Sequence, residues 1–269
     1  MGINESNLKQ VRKAAVAGHF YPEDPEKLQL MIRQLLHQKP LLKKPPKAII
    51  APHAGFIYSG GVAALLYAQF LSVKDQIKRV VLLGPSHRVA LRGIATSGKT
   101  IFETPLGQIP IDCESVQKIL QLPQVGELEQ AHEQEHSLEV QLPFLQEVLE
   151  NFTLVPLVVG ETAPEQISEV IEKLWGGAET LIVISSDLSH FHDYETAQKM
   201  DQRTSKAIEE LSFDQITSED ACGRNPVKGL LYLARLKKIT GKTIALCNSG
   251  DTAGDKNRVV GYGAYVFYE

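Results

Sequence analysis

Apolar residues fall along this chain in two rhythms. Short unbroken runs, Lys47-Ala-Ile-Ile-Ala-Pro52, Arg79-Val-Val-Leu-Leu-Gly84, Phe152-Thr-Leu-Val-Pro-Leu-Val-Val159 and Thr180-Leu-Ile-Val-Ile-Ser185, predict strands buried on both faces. Two further strands are expected at 242–247 and 259–268. Between them the spacing turns helical. Leu28, Met31, Ile32, Leu35 and Leu36 follow Asp24-Pro25, an N-cap with a first-turn proline, and helices are expected at 59–71, 164–174 and 194–211. Residues 93–109 read as a β-rich excursion and 135–149 as a helix despite Pro143. The proline-rich stretch 39–46 reads as a linker. Strands alternating with helices predict an α/β fold: a single domain over 1–269, with a central mostly parallel or mixed sheet flanked by helices.

Composition narrows the function classes. The chain has 269 residues, 43% hydrophobic and 22% charged, so it can bury a core without metal or disulfide support. The net charge of −4 argues against non-specific nucleic-acid binding, and the lysines at 39, 43, 44 and 47 read as a solvated linker. Cys113, Cys222 and Cys247 are odd in number and far apart, which fits a reducing cytoplasm. Residues 1–16 are polar, and no apolar run approaches the roughly 20 residues of a membrane span. A cytoplasmic protein without a nucleic-acid or membrane partner is expected.

Ligands of open α/β sheets bind beyond the carboxyl ends of the strands. Here the first strand runs into Pro52-His53-Ala-Gly55, the second into Pro85-Ser-His87, the fourth into Ser185-Ser-Asp187-Leu-Ser-His190, and the fifth into Cys247-Asn-Ser-Gly-Asp251. Three strand-end histidines and a thiol are donors that suit zinc, iron or copper. His53, His87 and His190 are therefore the expected ligands. Asp187 is a further ligand, an orienting acceptor for a histidine, or a helix cap. Cys247 joins the site, serves as a reactive thiol, or closes its strand as a small buried residue. His136, between Glu135 and Glu139, is a second acid/base histidine if that helix faces the pocket, and part of a solvated face if it does not. His19 sits in an aromatic turn able to fold over the pocket. Cys113 and Cys222 are expected to be inert, and His37, His132 and His192 to lie on the surface. No Walker loop, GxGxxG or GxSxG motif is present, so neither nucleotide binding nor a serine-hydrolase elbow is supported.

With these motifs assembled, the sequence closely resembles the Memo family, whose bacterial and archaeal members are labelled AmmeMemoRadiSam system protein B. The matching segments are Val11-Arg-Lys-Ala-Ala-Val-Ala-Gly-His-Phe-Tyr-Pro22, Ala51-Pro-His-Ala-Gly-Phe-Ile-Tyr-Ser-Gly60, Leu83-Gly-Pro-Ser-His87, Glu135-His-Ser-Leu-Glu-Val-Gln-Leu-Pro-Phe144, Ser185-Ser-Asp-Leu-Ser-His190 and Gly250-Asp-Thr252 with Val259-Val-Gly-Tyr262. They span nearly the whole chain in order. The resemblance implies a fold like that of class III extradiol dioxygenases, a three-histidine pocket mapping to His53, His87 and His190, and neighbouring positions at Asp187 and Cys247. Cys247 falls where the dioxygenases carry a carboxylate ligand, which argues against simple ring cleavage. The expected cofactor is Fe(II), with copper or zinc as alternatives, and His190, His136 and Cys247 are the expected catalytic residues of a non-heme oxidoreductase or dioxygenase-like site. The expected ligand is a small molecule or peptide in the metal pocket. The resemblance also raises two other roles, a non-catalytic peptide- or phosphate-binding adaptor and a partner of a radical-SAM protein.

Overall fold

Local capping and apolar patterning explain where the elements begin. The computed structural model describes residues 10–37 and 44–269, so most of the expected linker lies outside the described residues. After β1 (Val11–Arg12), the Asp24 side chain accepts the Lys27 N–H at 2.9 Å and Pro25 opens α1 (Pro25–Leu36). Leu28, Ile32 and Leu36 form its buried stripe. β2 (Ala48–Ala51) is buried throughout, and α2 (Phe56–Tyr67), rich in small residues, packs against α1. β3 (Arg79–Pro85) follows.

The excursion after β3 holds more structure than its apolar pattern announces. It contains β4 (Ile94–Thr96), β5 (Ile101–Thr104), β6 (Gly107–Pro110), α3 (Cys113–Ile119), β7 (Val125–Glu127) and the single turn α4 (Gln130–Glu133). The expected helix at 135–149 begins later. Residues 134–138 form an irregular turn, a 3₁₀ turn covers Glu139–Gln141, and α5 (Leu142–Val148) carries Pro143 in its first turn, where a missing N–H costs nothing. Glu135 and His136 thus lie on a turn, free to face the strand ends.

β8 (Thr153–Val159), α6 (Pro164–Lys173), β9 (Thr180–Ser185), β10 (His190–His192) and α7 (Tyr194–Glu209) come next. α8 (Arg224–Lys237), absent from the sequence-based expectation, ends at Lys238 in the left-handed region (φ 56°), and β11 (Thr240–Asn248) and β12 (Val259–Tyr268) close the chain. The main sheet runs in the order β10-β12-β2-β9-β3-β8-β4-β7, with β11 also paired to β12. Its heart, β2-β9-β3-β8, is parallel; β12, β11, β10 and β4 add antiparallel pairs, and β1-β5-β6 form a separate small sheet. The sheet is therefore mixed.

Register brings the strand ends level. Ala51 pairs with Ser185, Leu83 with Ile184, and Pro85 with Val159, so the loops after β2, β9, β3 and β8 leave the sheet side by side. Gly84 lets the 134–138 turn cross β3: a Cβ there would stand 2.7 Å from Ser137 Oγ and 2.9 Å from Leu138 Cδ2. Ser137 Oγ bonds the Pro85 carbonyl at 2.8 Å and fixes that crossing. Among the described residues, no helix is long and apolar enough to cross a membrane.

Candidate metal centre

His53 leaves β2 into a fully buried position with its ring tautomer determined by its neighbours. Its Nδ1 lies 2.8 Å from Ser185 Oγ. The single Ser185 hydroxyl proton goes to the Ser137 carbonyl at 2.6 Å, and Ser185 Oγ also accepts from Gln141 Nε2 at 2.8 Å. Ser185 can thus only accept from the ring, so His53 Nδ1 carries the proton and Nε2 presents a lone pair. Gln141 is itself held by the Pro52 carbonyl and the Tyr67 hydroxyl. Burial, and then the neighbouring His87 and His136, push the His53 pKa well below its ordinary value, which keeps the ring neutral.

His87, after β3, is oriented by a carboxylate. Glu135 Oε1 lies 2.9 Å from His87 Nδ1, and the same carboxyl group accepts the backbone N–H groups of His87, His136 and Ser137 at 2.6, 2.9 and 2.9 Å. Burial alone would raise the Glu135 pKa, but hydrogen bonds from the His87 side chain and from backbone donors overcome it and hold it at about 2. An ionised Glu135 can only accept, so His87 also carries its proton on Nδ1 and offers Nε2.

His136 completes the group. His53, His87 and His136 each offer a ring nitrogen, and these three atoms lie within 4.8 Å of one another. His136 stacks on His87 with ring centroids 4.6 Å apart and meets His53 edge-on at 5.4 Å. Its Nδ1 is buried without a hydrogen-bond partner, although Glu135 Oε1 stands 3.4 Å away. Burial lowers its pKa, opposed by Glu135 and aided by His87. Phe20 covers the ring at 4.7 Å, so the aromatic turn of residues 18–22 does close over the site, while His19 itself points to solvent.

The thiol in contact with His53 is Cys222, not Cys247, and it stands just outside the close group of three ring nitrogens. Cys222 Sγ lies 3.3 Å from His53 Nε2 and 3.7 Å from the Asp187 carbonyl, brought there by the turn before α8. Burial and then the Asp187 charge raise its pKa, so without a cation it is a protonated thiol. Cys247 stands on β11 opposite Tyr262, and its thiol is pushed up to about 11 by burial and then by Asp251 and Asp201. The charged groups that shift it are carboxylates, and no histidine is among them. The strand-end rule missed Cys222 because no strand precedes it; the available signal was a cysteine directly before a helix start, Cys222-Gly-Arg-Asn-Pro.

Asp187 and His190 lie beside the group. Asp187 Oδ1 accepts the His53 backbone N–H at 2.7 Å, and Oδ2 is 3.9 Å from His53 Nε2. Burial raises its pKa against the pull of His190 and of backbone donors. His190 Nδ1 donates to the Leu188 carbonyl at 2.8 Å, leaving Nε2 free, but His190 is outside the close group, and His136 takes the third corner expected for it. Both residues line a cavity of about 360 Å³ with His136, Phe20, Tyr58 and Tyr262. The 187–190 loop is tied down by the Leu188 and Gly261 N–H groups across to β12 and by Asp201, which accepts the Ser189 N–H at 3.0 Å. A second cleft of about 540 Å³ reaches Cys222 from the ends of β3 and β8.

Other expectations divide. His37 is exposed, but His132 is 1% exposed, its Nε2 bonded to the Ala95 carbonyl, with burial lowering its pKa to about 4. Glu139 lies in no solvated face. It is buried against Arg12 and accepts the Tyr21 hydroxyl and the Ala15 and Val16 N–H groups.

Comparison with known proteins places the chain in a family. The model of the Memo-like protein family matches residues 12–266. A MEMO1 family protein of Aquifex aeolicus is 38% identical over 96% of this chain and 99% of its own length. Counterparts bearing the same name in Sulfolobus acidocaldarius (36%, 94% and 97%) and Methanobrevibacter smithii (33%, 96% and 99%) are similar over the same extent. With the motifs, the fold and the full-length match in accord, the chain belongs to the Memo-like family.

Proposed function

We propose that this protein holds one transition-metal ion on His53 and His87, with His136 and Cys222 completing the donor set. One observation carries the reading: His53 and His87 both have Nδ1–H tied to a buried acceptor, so their free nitrogens are presented toward the same group. The rest of the site fits a cation. His53 and His136 are biased toward the neutral form that ligates, His136 Nδ1 is buried and unpartnered, and a thiol touches His53 Nε2. Imidazole with thiolate favours iron, copper or zinc over magnesium or calcium. Fe(II) is the first choice and copper or zinc the alternatives.

An iron or copper ion in this place supplies Lewis acidity and one-electron chemistry, which makes an oxidoreductase or dioxygenase-like reaction the preferred activity. The chain supplies the remainder. His190, with Nε2 free on the cavity wall, is the proton carrier for a bound small molecule or peptide, and buried Asp187 orients the His53 backbone beside it. Phe20 covers His136 and excludes water from that side.

Metal content after purification without added metal tests this reading. Stoichiometric iron, copper or zinc is expected in the native chain, lost in His53→Ala/His87→Ala, reduced in Cys222→Ser and unchanged in Cys247→Ser. Full metal content in the double variant refutes the site. Peptide affinity indifferent to metal removal would instead favour the adaptor role, and co-purification of a radical-SAM protein would favour the partner role.

A further inference from the structure

The cavity beside the histidines carries one unpaired cation. Arg258 lines it and makes no ion pair or hydrogen bond among the described residues. Its guanidinium lies over the Phe191 ring, 4.4 Å from the centroid. Phe191 is an unusual seat. It is the bulged residue of β10, at φ 65°, in the left-handed region that a phenylalanine rarely adopts, and it is 60% exposed. The bulge turns Phe191 outward between His190 and Arg258, with its ring edge-on to His190 at 5.6 Å.

The remaining lining sets the kind of ligand. Phe20, Tyr58 and Tyr262 supply aromatic walls, His136 and His190 stand toward the metal group, and the one carboxyl group, Asp187, is engaged by the His53 and Ala54 N–H groups. At about 360 Å³ the space is at the small end of ligand pockets.

We propose that this cavity binds a small aromatic carboxylate, its ring between the aromatic walls, its carboxylate on Arg258 and a donor group at its other end directed to the histidines. The proposal rests on the metal reading above and names the class of substrate for that site.

Two hydroxamates that differ only in charge test it on the full chain loaded with Zn(II): benzohydroxamate and 4-carboxybenzohydroxamate, titrated by calorimetry, with zinc content measured in parallel. The carboxylated probe is expected to bind about tenfold tighter, as a charge-assisted contact supplies. In Arg258→Gln the two affinities converge while the neutral probe and the zinc content are unchanged. Equal affinities in the native chain, a preference that survives in Arg258→Gln, or an equal loss for both probes overturns the carboxylate site alone. Failure of the native chain to hold zinc overturns the metal reading and this proposal with it.

Discussion

Removing the Ser185 hydroxyl isolates the step that prepares His53. In Ser185→Ala the ring loses the acceptor that keeps the proton on Nδ1, and the tautomer with hydrogen on Nε2, which cannot ligate, becomes accessible. Loss of such an orienting partner weakens metal binding about 10–100-fold, or about 1.4–2.8 kcal/mol. Stability falls too, because one Gln141 N–H and the Ser137 carbonyl also lose their partner in a buried place. At about 1–3 kcal/mol for an unsatisfied buried group, and with incomplete additivity, a total near 3 kcal/mol is expected. Tyr67→Phe is the control one bond further out. It deprives Gln141 Oε1 of its donor but leaves both Gln141 N–H bonds and the His53–Ser185 bond in place. It should cost about 1–3 kcal/mol of stability and less than about threefold in metal affinity, since the bond that orients His53 is kept. Competition with a chelator for Zn(II) measures affinity, and urea unfolding of the metal-free chain measures stability. Native-like affinity in Ser185→Ala, or equal losses in the two variants, would refute the tautomer argument.

Three further outcomes follow from the same geometry. His132 titrates near 4 when folded and near 6.5 when unfolded, so between those values the unfolded chain holds the extra proton and stability rises with pH. In metal-free protein, His132→Gln should flatten the stability–pH slope between pH 4 and 6.5 by up to about 1.4 kcal/mol per unit; urea midpoints showing the native slope in the variant would contradict this. Glu139→Gln leaves the buried Arg12 charge without its carboxylate and should cost about 3–5 kcal/mol, a melting shift of roughly 6–20 °C by calorimetry; a shift under about 2 °C would show that the pair is not stabilising in this setting. Gly84→Ala forces Ser137 and Leu138 away from β3 and, through them, His136. Metal affinity should drop about tenfold or more with the sheet intact by circular dichroism, and an unchanged affinity would separate that crossing from the site.

Much of this was readable in advance because burial writes itself as composition. β2, β3, β8 and β9 are covered on both faces, so each is an unbroken apolar run, and the rule that ligands gather beyond strand ends then points to His53, His87, Asp187 and His190. The missed elements lack that signature. β1 and β10 span two and three residues, too short for any period to show. α8 begins after Cys222-Gly223 with no side-chain cap and carries Pro226 in its first turn, so its start resembles a loop. The turn at 134–138 reads as helix because Leu138 and Leu142, like Glu135 and Glu139, stand one helical turn apart; those positions are the same whether the backbone closes one turn earlier or later.

The exchange of cysteines shows where strand-end reasoning stops. Cys247 and Cys222 are both half-buried thiols close to the carboxyl ends of strands, and the sequence ranks Cys247 first because a strand leads into it. β11, however, pairs only with β12, on the far side of that strand from the parallel heart, and its end turns toward Asp251 and Asp201. Cys222 belongs to no strand. It reaches the histidines because Gly223, with no room for a side chain beside Ser186, lets the start of α8 press against the loop after β9, where the Gly223 N–H donates to Ser186 Oγ at 3.0 Å. Two contacts made by a glycine thus decide which sulfur faces His53, and contacts of that kind exist only once the chain is folded. A thiol held by backbone packing beside a ring held by Ser185 is positioned before any ion arrives, so binding should release a proton from Cys222 rather than reorganise the loop.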